Sequence, residues 1–384
     1  MQRGIATFTL DYGKCPPWFF QRMVKLGREI TQVLVDEYGP DEFIKRIGDP
    51  VWFQSLGTVL AFDWNASGLT TILTAALKEA IRNQEKDLGI FICGGKGKTS
   101  LKTPDEINSW GVRLNLAPTN VQSLIYNSKM SAKVDSSLIQ DDYQIYHHAF
   151  FFSKSGAWTV VQQGMNTNDQ TARRYHWHSQ NIKDIVCEPH SGIASQLKRV
   201  STLNLTSKNS TKTRSVSADL VSASYESLEK DINTIRKHAA STSKMVSLES
   251  GDEKLTLLTL SDKDFKSHPV ELENFFNSKY LKKIFQKLCY QKPENYELLL
   301  ATEGVGPKTI RALALVSEII YGAKASYEDP ARYSFAHGGK DVIPYPVDRP
   351  TYDQTIEILK SAVSKTRLNP VEKNKAIRRL TSSK

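Results

Sequence analysis

The chain has 384 residues, of which 40% are hydrophobic and 24% are charged, values that are ordinary for a folded protein of two or three domains. Its formal net charge of +10 favours a polyanionic partner, either nucleic acid or an anionic membrane. The sequence has no apolar run long enough to span a bilayer and no signal-peptide core at its N-terminus, which weakens the membrane alternative. The four cysteines form no Cys-x-x-Cys pair, so we expect a reduced, cytoplasmic protein without a zinc ribbon or a disulfide framework.

Residues 1–195 predict an α/β domain that has a mixed sheet with helices. The apolar run "SLGTVLAF" predicts a strand that ends at Asp63, and apolar residues at helical spacing predict a helix over 69–80. The run "LGIFIC" then predicts a second strand, so a βαβ unit with parallel strands is expected. Thr103, followed by Pro104 and Glu106, predicts a capped helix start. The stretch "YQIYHHAFFFSKSGAWTVVQQGM" predicts a hairpin of two strands.

The composition changes over residues 196–262. The segment "STLNLTSKNSTKTRSVS" is rich in Ser, Thr and Lys, which predicts a polar linker or an exposed loop. One amphipathic helix follows in this region, and its apolar stripe consists of Val221, Tyr225, Leu228, Ile232 and Ile235. Residues 263–384 predict an all-α domain, which begins with an amphipathic helix that has lysines on its polar face.

A helix–turn–helix pattern in the all-α domain contains "GVGPKT", at Gly304, Val305, Gly306, Lys308 and Thr309. This pattern resembles a helix-hairpin-helix DNA-binding element. In such an element the glycines let the backbone approach a phosphate, and the N–H groups at the start of the second helix bind that phosphate. The alternative is a helical turn that only requires a residue with positive φ. Because phosphate contacts carry no base information, the element predicts binding to DNA that is independent of sequence.

A wider resemblance is carried by six segments. They are "SLGTVLAFDWNASGLTT", "CGGKGKTS", "VVQQGM", "ARRYHW", "GVGPKTIRALALVSEIIYG" and "FAHGGKDVIPYPVDR". Together these segments resemble the archaeal and bacterial family catalogued as domain of unknown function 763. The resemblance covers most of the chain apart from residues 196–262, and it implies no activity.

A second, local resemblance is to base-excision glycosylases of the endonuclease III type. These enzymes have a helix-hairpin-helix, then a Gly/Pro-rich loop and then an aspartate, and here "GVGPKT" is followed by "GGKDVIPYPVD". The resemblance implies that Lys308 is a Schiff-base lysine and that Asp348 is the catalytic aspartate. The two residues are 40 positions apart, which is more than the family's spacing. Glu303 and Ile310 also replace the family's usual proline and alanine.

The N-terminal half offers a basic loop and a carboxylate as candidate site residues. The loop "CGGKGKTS" lacks the first glycine of a phosphate-binding Walker motif, which excludes an ATPase of that class. Lys96, Lys98 and Thr99 are therefore interpreted as a phosphate- or DNA-contacting loop. Asp63, at the predicted strand end, suits a metal ligand or a general base, and the alternative is a turn or cap aspartate.

Five of the eight histidines lie between residues 147 and 190. In the sequence-based hypothesis His147, His148, His176, His178 and His190 meet Glu188 and Asp142 in one cleft. Such a cluster suits a divalent metal ion, Mg²⁺ or Mn²⁺, and a phosphodiesterase. We expect His147, His176 and Glu188 to be catalytic, with His176 also a metal ligand beside Asp63. His176 and His178 resemble the His-hydrophobe-His pair of rolling-circle nicking enzymes, since alternate residues of a strand share a face.

The four polar residues Gln162, Gln163, Arg173 and Arg174 are predicted to contact DNA phosphates or base edges. The alternative to a metal site is a polar sheet surface that binds DNA without cutting it.

The sequence thus predicts a DNA-binding protein that acts in DNA processing or repair, most simply as a metal-dependent nuclease. The alternatives are a glycosylase or abasic-site lyase that uses Lys308 and Asp348, and a DNA-binding protein without catalytic activity. We expect it inside the cell, associated with the nucleoid. The further partners that this interpretation allows are a second copy of the chain, as a homodimer, or a repair protein.

Overall fold

The computed structural model describes residues 15–60, 66–239, 247–250, 253–256, 279–331 and 349–381. The α-helices in these ranges are α1 (Pro17–Tyr38), α2 (Pro40–Ile47), α3 (Pro50–Val59), α4 (Ala66–Ala80), α5 (Glu85–Leu88), α6 (Thr103–Arg113), α7 (Pro118–Ser137), α8 (Thr211–Ser222), α9 (Tyr225–Ala239), α10 (Lys279–Gln291), α11 (Tyr296–Ala301), α12 (Pro307–Ile319), α13 (Arg349–Lys365) and α14 (Pro370–Thr381). The strands are β1 (Ile90–Lys96), β2 (Ile139–Gln140), β3 (Gln144–Ser153), β4 (Trp158–Asn166), β5 (Thr171–His178), β6 (His190–Ser195), β7 (Leu203–Asn204), β8 (Ser247–Ser250) and β9 (Glu253–Thr256). Short 3₁₀ helices cover Gly97–Lys102, Ser179–Asn181 and Lys208–Ser210.

The main sheet has five strands in the order β1-β3-β4-β5-β6, and each neighbouring pair is antiparallel. The predicted hairpin is confirmed as β3 and β4, and Gly156 in its turn has a φ of +91°, which favours glycine. Strands β2 and β7 form a separate antiparallel pair, as do β8 and β9. The α/β content that the sequence predicted is therefore confirmed.

Both faces of the main sheet are covered by helices. Ile90 and Ile92 point into a hydrophobic cluster with α1–α4, α13 and α14, whereas Phe91 and Cys93 point into a second cluster with α6–α12. Because alternate side chains of a strand point to opposite faces, each strand of such a sheet contributes to both cores. The two clusters cross the predicted boundaries near residues 195 and 263, since each joins the sheet to helices from the C-terminal third.

The predicted parallel βαβ unit is wrong. The segment before Asp63 lies largely in the helix α3, whose N-terminus is capped by Asp49: its carboxylate accepts hydrogen bonds from the N–H groups of Val51 and Trp52. An aspartate cap followed by Pro50 is a helix-start signal, and here it decides the conformation of an apolar run that is also compatible with a strand. The predicted helix over 69–80 is confirmed within α4, and the following strand β1 is antiparallel to its neighbour β3.

The predicted capping box at Thr103 is also wrong. Helix α6 does begin at Thr103, but its N-cap residue is Lys102, and the Thr103 hydroxyl donates to the Ser100 carbonyl at 2.7 Å. The carboxylate of Glu106 instead accepts hydrogen bonds from Gly94 N–H at 2.8 Å and from Lys78 Nζ at 2.7 Å. A long-range contact with strand β1 has replaced the local one.

Part of the predicted linker belongs to the core. Helix α8 places Leu220 and Val221 in the second cluster, and its buried polar groups are hydrogen-bonded within the fold. For example, the Thr213 hydroxyl donates to the Ala323 carbonyl at 2.8 Å, and Arg214 Nη1 donates to the Leu205 carbonyl at 2.6 Å. The Ser/Thr-rich composition suggested a loop because the sequence alone does not show which hydroxyls find partners. The predicted amphipathic helix is α9, which starts at Tyr225, so its apolar stripe is shared with α8.

None of the described helices combines the length and apolar character that crossing a lipid bilayer requires.

Candidate nucleic-acid interface

The turn between α11 and α12 contains the glycines that the sequence singled out. Gly304 has a φ of +89°, and a Cβ on it would lie 2.5 Å from Ile284 Cδ1 of α10. A side chain at this position would therefore strain the backbone and clash with α10. Val305 is 4% exposed and packs in the second hydrophobic cluster. The chain after Gly304 is thus held against the protein by a buried apolar side chain.

The carbonyl groups of this turn accept hydrogen bonds from side chains of the surrounding elements. Lys133 Nζ of α7 donates to the carbonyls of Leu300 and Thr302, at 2.6 and 2.7 Å.

The next carbonyls along the chain are bound in the same way. On α10, Lys287 Nζ donates to the Glu303 carbonyl at 3.1 Å, and the Tyr280 hydroxyl donates to the Gly304 carbonyl at 3.0 Å. The negative ends of these peptide dipoles are therefore bound by side chains, two of which carry positive charge.

The N-terminus of α12 has the opposite character. Within the part of the chain that the structure describes, no side chain caps this N-terminus and its first turn holds no acidic residue. Gly306 is the N-cap residue, and a Cβ built on it would meet no described atom within 4 Å. The positive end of the helix dipole therefore faces open space at Gly306, an arrangement that favours an anion.

Lysines surround the turn on three helices. Lys129 and Lys133 lie one turn apart on α7, Lys283 and Lys287 lie one turn apart on α10, and Lys308 lies in the first turn of α12. Burial, and then the positive charge of Lys287, lower the pKa of Lys133. The charges of these five lysines give the turn a positive potential.

One acidic side chain opposes this positive potential. Glu303 is 96% exposed, and its carboxylate lies 3.5 Å from Lys287 Nζ.

The family model described as "Protein of unknown function (DUF763)" matches residues 4–347 of the chain. The chain belongs to this family. No curated protein and no solved structure matches it. The DUF763 match includes the turn, the five-stranded sheet and helices α1–α12, whereas α13 and α14 lie outside it.

The four polar strand residues predicted to contact DNA are buried inside this DUF763 chain. Gln162, Gln163, Arg173 and Arg174 are each 0% exposed. Arg173 forms ion pairs with Asp141 and with Asp329, both at 2.7 Å. The prediction that these residues contact DNA is wrong, because the helices on both faces of the sheet exclude a macromolecular ligand from them. The alternative of a DNA-binding sheet surface fails for the same reason.

The histidines do not meet in one cleft. His147, His176 and His178 point from the sheet towards α2–α4, as shown by contacts of His147 with Thr74 and of His176 with the Ile47 carbonyl. His148 and His190 lie on the opposite side of the sheet. The sharing of one face by His176 and His178 is confirmed, but both side chains are buried rather than accessible. Adjacent residues of a strand point to opposite faces, which separates His147 from His148.

The face opposite His147 contains a hydrogen-bonded polar network around Asp135. One oxygen of its carboxylate contacts His190 Nε2 at 2.5 Å. The other accepts from Gln162 Nε2 at 2.5 Å and from Trp177 Nε1 at 3.0 Å. Gln162 Oε1 in turn contacts His148 Nδ1 at 2.9 Å. Satisfied buried networks of this kind fix one arrangement of a core, and this one connects α7 to four strands, β3 to β6.

The remaining predicted residues are dispersed or lie outside the described ranges. Glu188 is on the surface and forms an ion pair with Lys208 at 3.2 Å. Asp63 and Asp348 lie outside the described residues, so the roles assigned to them stay predictions. Among the residues that are described, no group of three His, Cys, Asp or Glu side chains is placed to hold a metal ion.

In the basic loop Lys96, Lys98 and Thr99 are exposed, at the end of β1 and in the 3₁₀ helix that follows. Their predicted contact with a phosphate or DNA stays a prediction.

Sequence reasoning missed the side chains that support the turn. Lys133 lies 167 residues from Leu300, whose carbonyl it binds. Gln140 Nε2 donates to the Pro307 carbonyl at 3.0 Å, and these two residues are also 167 positions apart. Lys287 and Tyr280 belong to the amphipathic helix whose lysine face was noted. The lysine spacing on that helix is the signal that could have identified them, since residues 280, 283 and 287 share one face.

Proposed function

We propose that this chain binds DNA through the sugar-phosphate backbone, with the turn at 304–306 holding one phosphate, and that it acts in DNA processing or repair. The observation that carries the proposal is the polarity of the turn. Its carbonyls are bound by Lys133, Lys287 and Tyr280, while the N-terminus of α12 faces open space at Gly306. Backbone N–H groups and a positive helix end are a favourable environment for a phosphate.

The lysines extend this environment beyond one phosphate. Lys283 projects from the same face of α10 as Tyr280 and Lys287, and Lys129 lies one helical turn from Lys133. Both residues are exposed, so they are available to neighbouring phosphates. Contacts of this kind neutralise charge without reading bases. The proposal therefore predicts binding that is insensitive to sequence and weakens with salt, by a log–log slope of about −0.9 for each phosphate neutralised on duplex DNA.

A substitution at Gly306 tests the proposal and separates binding from folding. Its φ of −149° is extended backbone that any residue adopts, and an aspartate at the N-cap favours the helix. Gly306→Asp should therefore leave the free energy of unfolding unchanged or raise it by up to about 1 kcal/mol. The same carboxylate repels a phosphate, so affinity for duplex DNA should fall by roughly tenfold or more, about 1.4 kcal/mol. Fluorescence anisotropy and urea unfolding measure the two quantities.

Gly306→Asn is the matched control, because asparagine caps the helix with nearly the same shape and no charge. It should lose much less affinity than Gly306→Asp. Equal affinity of the wild-type protein and Gly306→Asp would contradict the proposed phosphate site.

Removal of the acidic side chain at the turn should have the opposite effect. Glu303→Gln deletes a charge that opposes the phosphate, and we expect DNA affinity to rise by about two- to fivefold in 50 mM salt and by less in 200 mM salt. Stability should stay nearly constant, since an exposed ion pair contributes little. Glu328→Gln is the control, because Glu328 is also exposed (74%) and pairs with a lysine, Lys198, that is not on the helices around the turn. A gain of the same size in both variants would show that only the net charge matters.

Nuclease activity, with Mg²⁺ or Mn²⁺ and Asp63, stays a prediction, and so does lyase activity with Lys308 and Asp348. The binding proposal depends on neither. Cleavage in the presence of a divalent cation that stops in EDTA would support the nuclease. A covalent complex trapped by borohydride on abasic DNA would support the lyase.

A further inference from the structure

We infer that the DNA strand held at the turn is single-stranded, and that the ring of Tyr280 stacks on one of its bases. The inference rests on the proposed function, because it concerns the same surface.

Tyr280 combines exposure with a fixed position. The residue is 59% exposed, although tyrosine is on average partly buried. Its hydroxyl donates to the Gly304 carbonyl at 3.0 Å, so the exposed ring is anchored beside the turn. A ring that is already ordered loses little conformational entropy when a ligand covers it.

The surroundings of Tyr280 match the chemistry of single-strand binding. Lys279 precedes it, and Lys283 and Lys287 follow it on the same side of α10. An aromatic ring between cations is the arrangement that binds single strands, because the cations follow the backbone while the ring stacks on a base. In duplex DNA the bases are paired and stacked on each other, so a ring next to a backbone phosphate cannot reach a base face. The same surface should therefore distinguish the two forms of DNA through Tyr280.

The test compares a labelled 12-nucleotide oligo(dT) with a 12-base-pair duplex by fluorescence anisotropy. Tyr280→Ala should weaken binding to the single strand by roughly 5- to 100-fold, the range measured for loss of one stacked base, and should change duplex binding by less than about threefold. Tyr280→Phe removes the hydroxyl but keeps the ring, so it should retain most of the single-strand affinity. Tyr290→Ala is the control, because Tyr290 lies at the other end of α10 and is 89% exposed.

Three outcomes would overturn the inference: equal losses on both DNAs in Tyr280→Ala, no loss on the single strand, or a loss in Tyr280→Phe as large as in Tyr280→Ala. The last outcome would assign Tyr280 to the shape of the turn through its hydrogen bond. Gly306→Asp distinguishes these outcomes from failure of the proposed function. If Gly306→Asp weakens binding to both DNAs, the phosphate site is supported independently of the results for Tyr280. If Gly306→Asp binds both DNAs with the affinity of the wild-type protein, neither proposal has a basis.

Discussion

Lowering the pH from 7.5 to 5.0 is expected to destabilise the protein by more than about 2 kcal/mol, because histidines that are neutral in the folded state become charged on unfolding. Burial, and then the neighbouring His148 and Lys96, lower the pKa of His147 to about 3. Burial also lowers the pKa of His148, and burial with the charge of Arg174 places that of His176 well below its usual range.

The hydrogen bonds explain why His147 and His176 resist protonation. The Thr74 hydroxyl donates to the Thr70 carbonyl at 2.9 Å, so it accepts from His147 Nε2–H at 3.1 Å. His176 Nδ1–H donates to the Ile47 carbonyl at 3.1 Å. The second ring nitrogen of each histidine, His147 Nδ1 and His176 Nε2, has no hydrogen-bond partner among the described residues. A proton added there would place an uncompensated charge in the core.

The sign of the effect follows from the two states. The unfolded chain binds protons at these histidines below a pKa of about 6.5, whereas folded His147 binds one only near pH 3. The stability that these neutral histidines contribute is therefore fully present above pH 6.5, and it is lost as the pH falls towards their pKa values in the folded state. His147 alone contributes a loss of about 2 kcal/mol at pH 5, and His148 and His176 act in the same direction.

Urea unfolding at pH 7.5 and pH 5.0 measures this difference. His147→Gln cannot titrate, so its stability should fall by about 2 kcal/mol less than that of the wild-type protein over the same interval. An identical pH dependence in the two proteins would show that His147 is not held neutral by the fold.

Replacing three lysines around the turn by glutamine is expected to weaken duplex DNA binding on the order of 100- to 500-fold in 0.1 M salt. The variant combines Lys129→Gln, Lys283→Gln and Lys308→Gln, one residue from each of the three helices around the turn. If each lysine neutralises one phosphate, the log–log salt slope should become shallower by about 2.7. Salt titrations of the wild-type and variant proteins give both quantities.

A second triple variant controls for net charge. Lys86→Gln, Lys183→Gln and Lys375→Gln remove the same charge at exposed positions in α5, after β5 and in α14. This control should lose less than about tenfold in affinity and keep nearly the wild-type slope. Similar losses in the two variants would mean that DNA is attracted by the overall charge of +10 and is not bound at the turn.

Local signals in the sequence predicted several elements correctly. They predicted the hairpin of β3 and β4, helix α4 and strand β1, which have strong periodic patterns or turn residues. These signals depend only on residues that are a few positions apart in the sequence. The positions of the two glycines could be identified for the same reason, since Gly304 requires a positive φ and Gly306 directly precedes a helix that starts with Pro307.

The candidate site could be predicted only in part. The sequence identified the turn and Lys308, but the side chains that orient the turn come from α7 and α10, and Lys133 lies 167 residues from Leu300. The spacing of the histidines in the sequence does not show whether they meet in one cleft. His147 and His148 are neighbours in sequence, but their side chains lie on opposite faces of the sheet. Polar strand residues such as Gln162 in β4 and Arg174 in β5 suggest an exposed sheet face when the covering helices are unknown.

The sequence by itself determined the basic charge, the α/β content and the local geometry of the Gly304–Gly306 turn, since each depends on composition or on residues close together in the chain. The tertiary structure alone decided that the sheet is antiparallel and covered on both faces. It also decided that Arg173 is buried between Asp141 and Asp329 and that three helices place lysines around one turn. These features depend on which distant segments pack together, and the free energy of that packing comes from the burial of apolar side chains whose partners cannot be identified from one sequence.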